Sequence, residues 1–126
     1  MLFRTEKKLN PQDPDQKLYY ARPVYNRTLD LKELEKDIRS RYNINPLVLE
    51  TAVNVLADLL LQYLAQGYKI KAGDLGIFAL SFKSSGKGNV EDVGKKDITN
   101  IKITYLAGKR LKDKLKTLVD FKHTSS

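Results

Sequence analysis

Between Asn45 and Gly67 the chain reads PLVLETAVNVLADLLLQYLAQ, and this stretch constrains the fold more than any other. Asn45 is placed to cap a helix, Pro46 to occupy its first position, where a missing N–H costs nothing, and Gly67 to stop it. The polar residues Glu50, Thr51, Asn54, Asp58, Gln62 and Gln66 lie mostly four apart, forming one narrow stripe that drifts slowly around a helix of 3.6 residues per turn. Everything else is apolar. A surface helix needs an apolar face only about 100° wide, so this one asks for more cover than a small monomer provides. One reading is the central core helix of a single chain. The reading preferred here is a core helix shared across a dimer, with Val53, Leu56, Leu60 and Leu64 in the shared seam.

The chain has 126 residues, 41% of them apolar, which suits one globular domain with trimmings. It has no uninterrupted apolar run of about 18 residues to span a bilayer. The opening MLFRTEKKLNPQDPDQ lacks the apolar stretch of a signal peptide. Without cysteine there is no disulfide or thiol chemistry, and a reducing interior, the cytoplasm, is the default expectation. Net charge is +8, from 23 basic against 15 acidic residues. That balance favours an anionic partner, with nucleic acid first and an acidic membrane surface second. The long apolar helix is neutral to acidic, so the excess charge lies around it.

Residues 1–28 read as a flexible arm followed by an extended segment, KLYYARPVYN, which Pro23 confines to an edge or an unpaired stretch. A domain follows over 29–118, and 119–126 form a tail. Asp30-Leu31-Lys32-Glu33 resembles a capping box, opening a first helix that buries Leu31, Leu34 and Ile38 and ends near 41–43. After Gly67, alternation predicts strands over 68–72, 77–83 and 98–106, and the spacing of Leu111, Leu115 and Leu118 predicts a last helix from about Gly108. The order helix, helix, three strands, helix makes the fold class α+β.

Period 2 divides the strands into two faces. Tyr68, Ile70, Phe78, Leu80, Phe82, Ile101, Ile103 and Tyr105 fall on the face that packs on the helices. Lys69, Lys71, Ala79, Ser81, Lys83, Lys102 and Thr104 fall on the other, with no carboxylate among them. Either this is an ordinary wet face rich in lysine, or it is a surface that rests on a phosphate backbone, its small residues allowing close approach. The stretch 84–96, long for a hairpin connection, carries Lys87, Lys95 and Lys96 along with Glu91 and Asp92. It reads equally as a projecting β-arm or a surface loop. At the last helix, Lys109 and Arg110 join free N–H groups in a phosphate seat. Tyr19, Tyr20 and Tyr25 are expected to dock the extended segment on the domain rather than to stack on bases.

Catalysis finds little support. His123 is the only histidine, no carboxylate pair sits in an apolar context, and Gly86-Lys87-Gly88 lacks the spacing of a phosphate-binding loop. No enzyme, cofactor, metal site or small-molecule substrate is expected.

Two segments, GDLGIF at 73–78 and LAGKRLKDKLK at 106–116, resemble the Gly-Phe-Gly-Asn-Phe turn and the Pro-Gly-Lys-Ala-Leu-Lys ending of the HU and integration host factor family of bacterial DNA-binding proteins. The order and spacing of elements agree from about Leu29 to Lys116. KLYYARPVY looks like the N-terminal extension of a divergent HU-like subgroup. The resemblance implies an intertwined homodimer with two β-arms, binding the minor groove of double-stranded DNA with little sequence readout in the bacterial nucleoid. No membrane partner is expected, because the basic last helix carries no Trp or Phe on its apolar side. It makes Leu75, Phe78 and Tyr105 dimer-core residues, lets Gly76 form the strand turn, sets Lys83 and Lys102 at the arm bases and makes Lys109 a phosphate contact. Asp74 stands where the family has its first glycine. The arm region lacks the family's proline and arginine, and Glu91-Asp92 near its tip argues against strong bending. The alternative function is an HU-fold scaffold or protein-interaction module with weak or lost DNA binding.

Overall fold

The computed structural model describes residues 1–125, with Pro14 described by its backbone alone. In chain order the elements are β1 (Leu2–Asn10), β2 (Asp13–Val24), α1 (Leu31–Asp37), α2 (Pro46–Ala65), β3 (Ile70–Lys71), β4 (Gly76–Ser84), β5 (Ile98–Ala107), α3 (Lys109–Leu118) and β6 (Lys122–His123). They form two compact units, residues 31–114 and residues 1–30 with 115–126.

In the larger unit, α1 starts at Leu31, directly after Asp30, and widens into a π-helical turn, Ile38–Tyr42. Asn43, at φ 53°, ends it in the left-handed region that asparagine tolerates. Asn45 caps α2 as the sequence leads one to expect, its Oδ1 accepting from the Leu47 amide at 3.0 Å with Pro46 behind it. Gly67, at φ 90°, closes the far end, its amide donating to the Leu64 carbonyl. The chain then enters an antiparallel sheet of order β3-β4-β5, on which α2 packs. β3 is shorter than the strand predicted over 68–72, because Tyr68 is held back on the helix: its amide donates to the Tyr63 carbonyl and its ring meets the Tyr63 ring edge-on at 5.8 Å.

The smaller unit corrects the expectation of a flexible arm. β1 and β2 form a long antiparallel hairpin, in register from Leu2↔Val24 to Leu9↔Lys17, with an irregularity at Asn10. Asn10 folds the turn, its Oδ1 accepting from the Gln12 amide at 3.0 Å and its Nδ2 donating to Gln16 Oε1 at 2.9 Å. Polar composition pointed to disorder, but cross-strand pairing gives the facing backbone groups of the two segments their partners. The expected tail is likewise structured: β6 pairs parallel with β1, Leu2↔Lys122 and Phe3↔His123. Ser126 lies outside the described residues. Pro23 sits on β2, an edge strand, where its missing N–H leaves no ladder bond unmade.

Burial is sparse. Among the described residues only Leu64, 3% exposed, is a buried large apolar side chain. Leu31 of α1 and Ile38 of the π-helical turn are half-buried and Leu34 is exposed, so this first helix buries less than predicted. The accessible surface is 11119 Å². A folded monomer of this mass exposes about 6,800 Å², and about 8,000 Å² even when its two units are counted as separate bodies. Apolar side chains left open along α2, including Leu47, Val48, Val53, Val55, Leu59 and Leu61, contribute to the difference. The sequence has no unbroken apolar run of membrane-spanning length, yet α2 is long and apolar enough on average to cross a bilayer. A core helix awaiting cover has the same composition, and α2 carries Glu50 and Asp58 within it.

Candidate functional site

Strand register fixes which side chains share a face. Ile70 opposes Phe78, Phe78 opposes Tyr105 and Leu80 opposes Ile103, which gives the apolar face read from the sequence. The Phe78 and Tyr105 rings lie 5.1 Å apart, and Tyr105 Oη donates to the Leu75 carbonyl at 2.6 Å. The opposite face holds Lys71, Ala79 against Thr104, Ser81 against Lys102, and Lys83 against Thr99. Lys69 joins it by alternation, just before β3. Neither β4 nor β5 contains an aspartate or glutamate. Ala79 and Ser81 are half-buried while Lys69, Lys71, Lys83 and Lys102 are exposed, so charge stands around a floor of small side chains. Sequence alternation missed Ile77 and Leu106, which pair with each other on this face beside Lys71 and give it an apolar end.

The face depends on a β-bulge. Between Ser81↔Lys102 and Lys83↔Thr99, β4 advances two residues while β5 advances three. Asn100, at φ 53°, is in the stretch that carries the extra residue. The shift reverses the alternation of β5 below this point. It brings Thr99 to the lysine side and sends Ile98 to the apolar side, opposite Ser84. Ile101, expected on the apolar face, falls within the bulge and is 69% exposed.

At the other end of the face, two glycines let the backbone close up on the start of α3. Gly76 has φ 131°, and a Cβ there would lie 2.1 Å from the Leu106 carbonyl oxygen. A Cβ on Gly108 would lie 2.2 Å from the Asp74 carbonyl oxygen. The Gly108 amide donates to the Leu75 carbonyl at 3.0 Å. This interlock brings Lys71, Lys109, Arg110 and Lys112 to the rim of one cleft of about 410 Å³, whose floor includes Ile77 and Leu106. Asp74 enters the same rim and takes Arg110 into an ion pair, Nη1 to Oδ2 at 2.7 Å. Arg110 therefore reaches an anion only in competition with its own carboxylate.

The connection between β4 and β5 is not a β-arm. Pairing stops at Ser84↔Ile98, and the chain folds instead into two 3₁₀ turns, Val90–Asp92 and Lys95–Asp97. Asp97, 5% exposed, gathers this loop: Oδ2 accepts from the Gly94 amide at 2.9 Å, Oδ1 lies 3.3 Å from Lys87 Nζ, and its carbonyl accepts from the Ser85 amide. No alternation in the sequence marks this carboxylate. Lys87 is thus held inward by Asp97, while Lys95 and Lys96 are exposed on the second turn and Val90 is 91% exposed on the first.

The residues assigned to the dimer core separate into two groups. Leu64 is buried, and Leu56, Leu60 and Phe78 are half-buried; Val53, Leu75 and Tyr105 are 41%, 52% and 52% exposed. Tyr19, Tyr20 and Tyr25 are 66%, 45% and 79% exposed. Among the described residues no group of three or more His, Cys, Asp or Glu side chains is placed to hold a metal ion.

Residues 2–123 match the family described as HU-HIG, an HU domain fused to a winged helix-turn-helix, Ig or glycine-rich motif. No curated protein matches the sequence. Among solved structures, the chain is similar to one from Bacteroides vulgatus ATCC 8482 described as a "Putative bacterial DNA binding protein". The TM-score is 0.63 at 11% identity, over 99% of this chain and 49% of that one. The chain thus spans about half the length of that protein, and at this identity the likeness speaks for the fold alone.

Proposed function

The chain belongs to the HU-HIG family, and on that premise we propose that it binds duplex DNA as a homodimer, through the lysine face of the β3-β4-β5 sheet and with little sequence preference. The observation that carries this reading is the absence of any carboxylate from β4 and β5, with four lysines around a floor of alanine, serine and threonine. A merely soluble face mixes both signs. This one suits phosphates, which lysines meet as point charges while small residues allow close approach. Lys69, Lys71, Lys83 and Lys102 form the saddle, with Lys109 at the α3 cleft and Lys95 and Lys96 on the loop. Lys87 and Arg110 contribute less, since Asp97 and Asp74 already engage them. On this reading the chain acts by binding alone, calls on no catalysis or cofactor, and works in the nucleoid.

The homodimer rests on the open face of α2 and on the surface excess of the single chain. Val53, Leu56, Leu60 and Leu64 then become shared core, joined by Leu75, Phe78 and Tyr105. In the alternative reading the chain is a dimeric scaffold with weak DNA binding. It draws support from the loop, where the 3₁₀ turns replace an arm and expose Glu91 and Asp92.

The two readings separate in one titration. Fluorescence anisotropy of a labelled duplex of about 30 base pairs, followed at several salt concentrations, should show log K falling by several units per log unit of salt. The double substitution Lys83→Glu with Lys102→Glu should weaken binding on the order of 100-fold at low salt. Absence of duplex binding by an intact dimer would leave the scaffold reading.

A further inference from the structure

The β1–β2 hairpin presents a second charged surface that the duplex-binding face does not use. Register places Thr5 opposite Ala21, Lys7 directly opposite Tyr19, and Leu9 opposite Lys17 on one face. All six side chains are exposed, with Tyr19 at 66%. The regularly paired stretch has no carboxylate on this face. Asp13 and Asp15 lie beyond the register break at the turn, where Asp13 Oδ1 accepts from the Asp15 amide. The only other acid of the hairpin, Glu6, is on the opposite face, 2.9 Å from Arg22 Nε in an ion pair without hydrogen-bond alignment. The open face is therefore an aromatic ring between two uncompensated lysines.

We propose that this hairpin face is a single-strand nucleic-acid site, with Tyr19 stacking on a base and Lys7 and Lys17 meeting the backbone on either side. A pairing of ring and cations favours unpaired bases for a physical reason. In a duplex the base faces are already stacked on one another, so a protruding ring has nothing to cover, whereas every unpaired base offers a π-face. Opposed residues on neighbouring strands have Cβ atoms about 5 Å apart and same-face residues along a strand about 6.7 Å apart, so both lysines lie within a nucleotide's reach of the ring. The proposal does not depend on the duplex-binding reading, because it uses other residues in the other unit.

The test uses the full chain and two probes, labelled oligo(dT) and oligo(rU) of about 20 nucleotides, beside the 30-base-pair duplex. Tyr19→Ala should weaken oligonucleotide binding by about 5- to 150-fold, and Tyr19→Phe should preserve it. Lys7→Glu with Lys17→Glu should weaken it and flatten its dependence on salt. None of these should change duplex affinity, whereas Lys83→Glu with Lys102→Glu should do the reverse. The protein has no tryptophan, so Tyr19→Trp supplies a single emitter at the site. Its fluorescence should be quenched by oligonucleotide and not by duplex. DNA against RNA is decided by which probe binds more tightly. Failure of both probes to bind at low salt, equal binding by Tyr19→Ala and parent, or indole emission left unquenched at saturation in the Tyr19→Trp variant would each overturn the proposal. Circular dichroism of each variant separates these outcomes from loss of the hairpin.

Discussion

Three side chains, or their absence, decide whether the site stays assembled. Gly76 must remain without a Cβ, both for its φ of 131° and for the 2.1 Å such an atom would leave to the Leu106 oxygen. Gly76→Ala should cost on the order of 3 kcal/mol in urea unfolding, since backbone on both sides must move. Gly86→Ala, in open space, should stay within about 0.5 kcal/mol. Asp97 plays the corresponding part for the loop. Asp97→Ala strands the Gly94 amide and releases Lys87, at about 1–3 kcal/mol. Hydrogen exchange should show the Gly94 amide losing protection while the amides pairing β4 with β5 keep theirs. Asn100 matters through its backbone, because the bulge decides which way Ile98 and Thr99 face.

At the scale of elements, α2 governs folding and, in the homodimer proposed above, assembly as well. Asn45→Ala should cost about 1 kcal/mol by removing the bond to the Leu47 amide. Val53→Asp should leave the monomer's sheet intact yet weaken self-association on the order of 100-fold, as read by sedimentation velocity, because it places a carboxylate in an apolar seam. The elements legible in the sequence were those specified by local signals: the Asn45-Pro46 start, the Gly67 stop, the alternation of β4 and β5, and the leucine spacing of α3. The hairpin was not. Its pairing joins residues such as Leu2 and Val24, which no window of local pattern connects, and Pro11 and Pro14 read as disorder. The Asn10-Pro11 dipeptide was the available signal, since such pairs initiate turns. The loop 84–96 was ambiguous for a related reason. Its two turns are gathered by one buried carboxylate, Asp97, whose burial the sequence alone does not disclose. The lysine face was legible in composition but not in its Ile77–Leu106 end, because β3 proved only two residues long and the pairing there follows from the Gly76 turn.

For the whole molecule, charge and symmetry act together. If the homodimer brings two lysine faces to one duplex, contact with about 6–10 phosphates is within reach, and affinity should drop by about 10³–10⁵ between 50 and 200 mM salt. A monomer with one face should show roughly half that slope, so the salt dependence of Val53→Asp measured alongside its sedimentation ties assembly to binding. The pairing of β6 with β1 has a different kind of consequence, one in time. The unit made of residues 1–30 and 115–126 is split around the other in sequence, and β1 meets β6 only through Leu2↔Lys122 and Phe3↔His123. During synthesis the 31–114 unit has all of its own residues before β6 is made. The β1 edge must wait for its third strand until Lys122 and His123 are made. Through that interval the hairpin stands as a two-stranded ribbon, marginally stable by itself, and the strand that completes β1 is made only after β2 to β5.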